Sequence, residues 1–141
     1  MDKYIEGYNV PKNFALIAQK VIVSNDKGQI LLLRRSEKCR DAGKWSLPGG
    51  GLEKEDPIQG IVREAKEETG LDIVDVRPIH VVSFMEGGKF VVMIGYIAKT
   101  KSKNISLNWE HDQFKWVLKE KLLNSNLPDI LKSFIERATD K

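Results

Sequence analysis

Glu64, Glu67 and Glu68 crowd into one short segment, a dozen residues behind the glycine run Gly49, Gly50 and Gly51. If the segment is helical, Glu64 stands at i, i+3 and at i, i+4 to two like charges, which repel on a common face. A bound cation would relieve that repulsion. Mg²⁺ or Mn²⁺ suits the donors, because hard divalent ions take carboxylate oxygens together with substrate phosphates and water. Glycines without side chains let backbone amides and carbonyls come close to a metal or a phosphate. The plainer alternative is a solvated acidic face balanced by Arg63 and Lys66, behind a "PGGG" that is simply a turn.

The elements around these residues must position them. Asp56 can cap a helix, Pro57 suits its first position and Gly70 its C-terminal end. Ile58, Ile61, Val62 and Ala65 then form one apolar stripe, and at about 100° per residue the three glutamates fall beside it, bordering the core. Upstream, "FALIAQKVIVS" (14–24) and "QILLLRR" (29–35) read as strands joined by turn chemistry at "NDKG", which predicts a hairpin. Residues 36–51 are polar and glycine-punctuated, hence mostly loop. Downstream, "LDIVDVRPIHVVSFM" and "KFVVMIGYIAKT" read as two strands joined at "EGGK", with Pro78 implying an edge or a bulge in the first. A shorter strand is expected over 114–118. Pro128, followed by Ile130, Leu131, Phe134, Ile135 and Ala138 at helical spacing, predicts a packed C-terminal helix.

Composition narrows the function classes. The 141 residues are expected to form one domain spanning 1–141. No apolar run approaches the roughly 20 residues of a membrane span, and no secretory h-region follows Met1, so a cytoplasmic protein without membrane contact is expected. Cys39 is the single cysteine and can form no internal disulfide. The net charge of +3, from 23 basic and 20 acidic residues, is too small and dispersed to suggest a nucleic-acid surface.

Gly49, five residues, Glu55, seven residues, then "REAKEETGL" from Arg63 to Leu71 resembles the Nudix box at its polar and glycine positions. The segments "LLLRRS", "GKWSLPGG" and "EHDQFKWV" extend the likeness over about residues 14–123. Two positions depart from the pattern: Ala65 replaces a larger aliphatic residue, and Lys54 stands where a glycine commonly precedes the glutamate at 55. The resemblance implies an α/β fold, a Nudix-type α/β/α sandwich with a mixed β-sheet, whose box (49–71) forms a loop-helix-loop catalytic unit.

What the resemblance implies for chemistry is Mg²⁺- or Mn²⁺-dependent hydrolysis of a nucleoside diphosphate linked to another moiety, by water attack at phosphorus. Glu67 and Glu68 would be the main metal ligands, joined by the carbonyl of Gly49 or Gly50. Glu64 would serve as a further ligand or as the base, and Arg63 with Glu55 would orient the cluster. Glu110 matches a carboxylate position outside the box that binds metal or activates water. Of Arg34 and Arg35, on opposite faces of a strand, only one can reach a phosphate. Trp45, Phe84 and Trp109 could stack on a base or belong to the core; His80 reads as a core histidine and His111 as a surface residue or a helper of Glu110. A small nucleoside triphosphate or nucleotide sugar is the expected partner, nucleic acid is disfavoured and a homodimer is left open. The rival reading is a nucleotide-binding or regulatory domain without turnover, which could dispense with a metal ligand, whereas Glu64, Glu67 and Glu68 are all present.

Overall fold

The computed structural model describes residues 13–138. Its elements in chain order are β1 (Leu16–Ser24), β2 (Gln29–Arg35), β3 (Trp45–Ser46), β4 (Gly49–Gly51), α1 (Pro57–Thr69), β5 (Val74–Glu86), β6 (Lys89–Lys99), β7 (His111–Leu118), α2 (Lys119–Leu123) and α3 (Asp129–Arg137). The strands make one mixed sheet of order β3-β2-β1-β6-β5, with β7 added on β2 and β4 on β1. β1 and β6 run parallel from Leu16 opposite Val91 to Ser24 opposite Lys99. All the other pairings are antiparallel.

Strand alternation divides the core into two layers. Val21 and Val23 of β1 face α1, packing with Ile61, Ala65 and Tyr96. Ile22 faces the other way, toward Leu122, Phe134 and Ile135 of α2 and α3. Helices therefore cover both faces of the sheet, as an α/β/α sandwich requires. Ala65 is fully buried against the sheet, so the small residue affects this contact rather than any exposed group. Ile58, expected in the stripe, is instead 36% exposed because it lies in the first turn, beyond the sheet.

The β1–β2 hairpin forms only at its turn. Asn25 Oδ1 accepts from the amides of Lys27 and Gln29, and Gly28 takes φ 72°, yet Ser24 opposite Ile30 is the single paired position. Beyond it the strands part. β2 continues along β7 and β3, while β4 takes the place beside β1. The stretch 36–51, expected to be mostly loop, thus supplies two short strands that fill this split. Pro78 fulfils both expectations, since β5 is an edge strand with register shifts on either side of it. β7 begins at His111, earlier than expected, and α2 was not anticipated from the sequence.

Candidate active site

The helix α1 aims Glu64 and Glu68 at β4. Asp56 accepts from the amides of Ile58 and Gln59, Pro57 opens the helix, and Gly70 closes it at φ 76° with its amide on the Lys66 carbonyl. These caps fix the helical phase, which brings Glu68 in its last turn onto the glycine strand. Glu68 is 2% exposed, and its Oε1 accepts from the Gly49 amide at 2.9 Å. Burial raises its pKa to about 7, opposed by the Gly49 hydrogen bond and by Lys20, and reinforced by Glu64 and Glu110. Glu64 is also shifted upward, chiefly by burial, with Arg63 pulling it back.

Arg63 joins three carboxylates. Its Nη2 lies 2.6 Å from Glu55 Oε1 and 3.3 Å from Glu64 Oε1, while Nη1 reaches Glu67 at 3.1 Å. The Glu55 hydrogen bond is the main cause of an Arg63 pKa raised above its usual range, and it lowers that of Glu55. Glu67 is the exposed member, its side chain 55% accessible.

The two glycines of β4 meet different neighbours. A Cβ on Gly49, at φ 153°, would stand 1.9 Å from the Gln19 carbonyl oxygen, so only glycine fits. A Cβ on Gly50 would stand 2.9 Å from the Glu64 carboxylate. Val21 N–H to Pro48 C=O and Leu52 N–H to Ile17 C=O bracket the β1–β4 ladder. Antiparallel alternation between them turns the Gly50 backbone groups toward β1 and leaves the Gly49 amide facing Glu68.

A separate segment adds Glu110. It precedes β7, receives Asn108 Nδ2 at 3.2 Å and Arg35 Nη1 at 3.5 Å, and lies near enough to Glu64 and Glu68 to raise both electrostatically. His111 is buried rather than on the surface: its Nδ1 lies 3.2 Å from Asn108 Oδ1, and burial, followed by the charge of Arg35, lowers its pKa to about 4. The turn over Asn108 packs it inward. His80 lies half-buried edge-on to Phe134, with ring centroids 5.7 Å apart.

Where Arg35 reaches Glu110 and Lys20 acts on Glu68 opens a cleft of about 680 Å³, whose lining includes Lys20, Arg35, Arg40, Lys44, Lys89 and Trp45 together with the acids Asp41 and Glu86. Strand register separates the two arginines. Arg35 lines the cleft, whereas Arg34 is held in a two-point pair with Asp112 at 2.8 and 2.9 Å. Trp45 offers a ring to the cleft, with Lys115 Nζ 4.1 Å from the ring centroid. Phe84 and Trp109 do not line it, and Trp109 is 67% exposed. Lys20 was not singled out from the sequence, since it sits in an apolar strand with nothing local to mark it. A second cavity, about 460 Å³ and lined by Ile22, Val76, Ile97 and Lys119 among others, shares no lining residue with this cleft, and neither lining includes Glu64, Glu67, Glu68 or Glu110.

Among the described residues no three His, Cys, Asp or Glu side chains already converge as a ready-made metal shell. Arg63 holds Glu64 and Glu67, and Gly49 holds Glu68. The donor chemistry nevertheless fits a hard divalent ion, because the acids outnumber their cationic partners and the Gly49–Gly50 backbone adjoins Glu68 and Glu64.

Comparison with known proteins agrees with this geometry. The family model described as NUDIX domain matches residues 16–138. The crystal structure of a MutT protein from Methanosarcina mazei Go1 superposes with a TM-score of 0.80 at 36% identity, covering 91% of this chain and 95% of that one. The nucleoside triphosphatase NudI of Enterobacter sp. (strain 638) is 26% identical over 72% of this chain and 80% of its own length. An RNA pyrophosphohydrolase of Halorhodospira halophila is 44% identical over 40% of this chain, a match that spans 29% of that relative. The chain belongs to the Nudix family and is a Nudix hydrolase. No helix among the described residues is long and apolar enough to cross a membrane.

Proposed function

We propose that this Nudix hydrolase cleaves a phosphoanhydride bond in a nucleoside diphosphate linked to another group, with a small nucleoside triphosphate as first choice and a nucleotide sugar as second. The observation that carries the reading is the junction of Glu64, Glu68 and Glu110 with a cleft lined by Lys20, Arg35, Arg40, Lys44 and Lys89. Carboxylates suit a divalent metal, and the neighbouring cations suit a polyphosphate. The match to a nucleoside triphosphatase over most of both chains favours the triphosphate.

Glu67 and Glu68 would hold Mg²⁺ or Mn²⁺ with the Gly49 carbonyl, which the ladder leaves on the Glu68 side, and Glu64 would complete the set. When bound, such a metal supplies charge neutralisation at the phosphate oxygens and lowers the pKa of water. Arg63, tied to Glu55, orients Glu64 and Glu67 so that they do not collapse onto solvent. Glu110, on its own segment, accepts the proton of the attacking water. Arg35 takes a phosphate oxygen, and Trp45 gives a flat surface for the base.

A phosphate-release screen over nucleoside triphosphates, nucleotide sugars, ADP-ribose and dinucleoside polyphosphates, with Mg²⁺ and with Mn²⁺, tests the reading. Turnover with a nucleoside triphosphate in ¹⁸O-labelled water should place the label on a phosphorus product. Binding without turnover of any substrate would instead favour a nucleotide-binding domain.

A further inference from the structure

We propose that Lys20 is a phosphate-binding residue, its ammonium taking a non-bridging oxygen of the phosphate chain where the cationic cleft meets the carboxylates. Its surroundings support this. On β1 it pairs with Gly49 on one side and Gly95 on the other, so no neighbouring Cβ covers its stem on either strand. Its position shares the face of Leu16 and Ile22, and it lines the cleft together with Arg35, Arg40, Lys44 and Lys89.

The hydrogen bonding is incomplete. Nζ donates to the Leu47 carbonyl at 3.1 Å, one acceptor for a group with three donors. Burial lowers the Lys20 pKa, Glu68, Glu64 and Glu110 oppose that shift and Arg35 adds to it, yet among the described residues no acid reaches ion-pair contact with it. A poorly solvated cation lacking an ion-pair partner is costly unless a ligand supplies the partner. Two of the other four cleft cations already have a carboxylate partner, Arg35 with Glu110 and Lys44 with Asp41. Lys20 is the cleft cation that stands at the boundary of the two groups, where its charge acts on Glu68.

The alternative role is a fixed counterion for Glu68, and the two differ in sign. A cation beside a metal site repels the metal, so removing it should leave divalent-ion affinity unchanged or tighter while weakening phosphate binding. The inference rests on the phosphoanhydride reading, and a binding measurement keeps the two separable.

The experiment compares wild type, Lys20→Met, Lys20→Gln and Lys20→Arg as full chains. Calorimetry measures binding of an α,β-methylene nucleoside triphosphate, kinetics give kcat and KM, and the melting temperature against Mn²⁺ gives metal affinity without nucleotide. Loss of one charge-assisted hydrogen bond predicts roughly 10- to 100-fold weaker analogue binding in Lys20→Met and Lys20→Gln. KM should rise by a similar factor with a smaller fall in kcat, Lys20→Arg should recover part of the loss, and Mn²⁺ affinity should hold or tighten. Analogue binding within about twofold of wild type, where one charge-assisted bond should cost far more, would overturn the assignment. So would weakened Mn²⁺ binding with analogue affinity intact. A wild type that binds the analogue in a Lys20-dependent manner but turns over nothing would sink the proposed reaction and leave Lys20 standing. Turnover unaffected in all three variants would do the reverse.

Discussion

The Gly49 amide donates to Glu68 Oε1 at 2.9 Å, tying the glycine strand to the last turn of α1. A side chain at Gly49 would collide with the Gln19 backbone, which cannot move without breaking the β1–β4 ladder. Gly49→Ala should therefore lose about 3 kcal/mol or more of stability, through strain and overpacking together. At Gly50 the obstacle is the end of the flexible Glu64 side chain. Gly50→Ala should keep a near-native melting temperature and lose turnover as Glu64 is displaced. Thermal melts and kinetics on the two variants check both halves, and full activity in Gly50→Ala would show that the Glu64 position is not needed.

Metal should bind in competition with protons. Burial keeps Glu68 protonated to about 7, and a metal ligand must be ionised. Mn²⁺ or Mg²⁺ should raise the melting temperature, since it binds the folded state alone, while Na⁺ at matched ionic strength should not. The apparent affinity should increase as pH climbs toward and through about 7, then level off. A melting-temperature titration with Mn²⁺ on either side of that value measures the trend, and an affinity independent of pH would remove Glu68 from the ligand set.

Without metal, two buried groups should oppose each other in their effect on stability. Glu68 titrates at about 7 folded against 4.5 ordinarily, so the folded state holds the extra proton between those values. Its contribution is full at low pH and is lost as pH rises across that window. Glu64, also raised, has the same sign. His111 titrates at about 4 folded against 6.5. There the unfolded state holds the extra proton, and stability falls as pH drops through the window. Between about 4.5 and 6.5 the His111 slope opposes that of the carboxylates, so the metal-free melting temperature should change less steeply than either kind of group alone would make it. His111→Gln should unmask a decline with rising pH, and Glu68→Gln a rise. Parallel slopes in the two variants would contradict the opposing assignments.

What the sequence revealed of this fold depended on the range of the forces involved. The caps of α1 were legible because Asp56, Pro57 and Gly70 act within a turn of themselves. The Asn25 turn was equally local, but the departure of β2 from β1 depends on β7, far along the chain. The same distance decides between Arg34 and Arg35, since only pairing with β7 brings Asp112 to Arg34. Lys20 was invisible because its surroundings come from Gly49 and Gly95, on two other strands. α2, five residues long, is too short to show a helical period.

The carboxylates should separate by the segment that carries them. Glu67 and Glu68 belong to α1, and if they hold the metal, Glu67→Gln and Glu68→Gln should each lose turnover by several orders of magnitude while remaining folded. Their stabilities should differ. Glu67 is exposed beside Arg63, and losing a surface ion pair costs about 0–1 kcal/mol. Glu68→Gln can keep an oxygen on the Gly49 amide while removing a buried charge, so the metal-free protein should become more stable above about pH 7. Glu110 is anchored instead by Asn108 and Arg35. As a general base it should contribute about 10²- to 10⁴-fold, with partial recovery at higher pH where hydroxide replaces it. Mn²⁺ affinity in Glu110→Gln should stay near wild type. A Glu110→Gln protein that mainly loses Mn²⁺ would make Glu110 a ligand, and full activity across pH would remove it from the reaction. Full activity in both Glu67→Gln and Glu68→Gln would refute the metal assignment altogether, because each variant lacks one of the two α1 carboxylates assigned as main ligands and Glu64 is the only other acid on that helix.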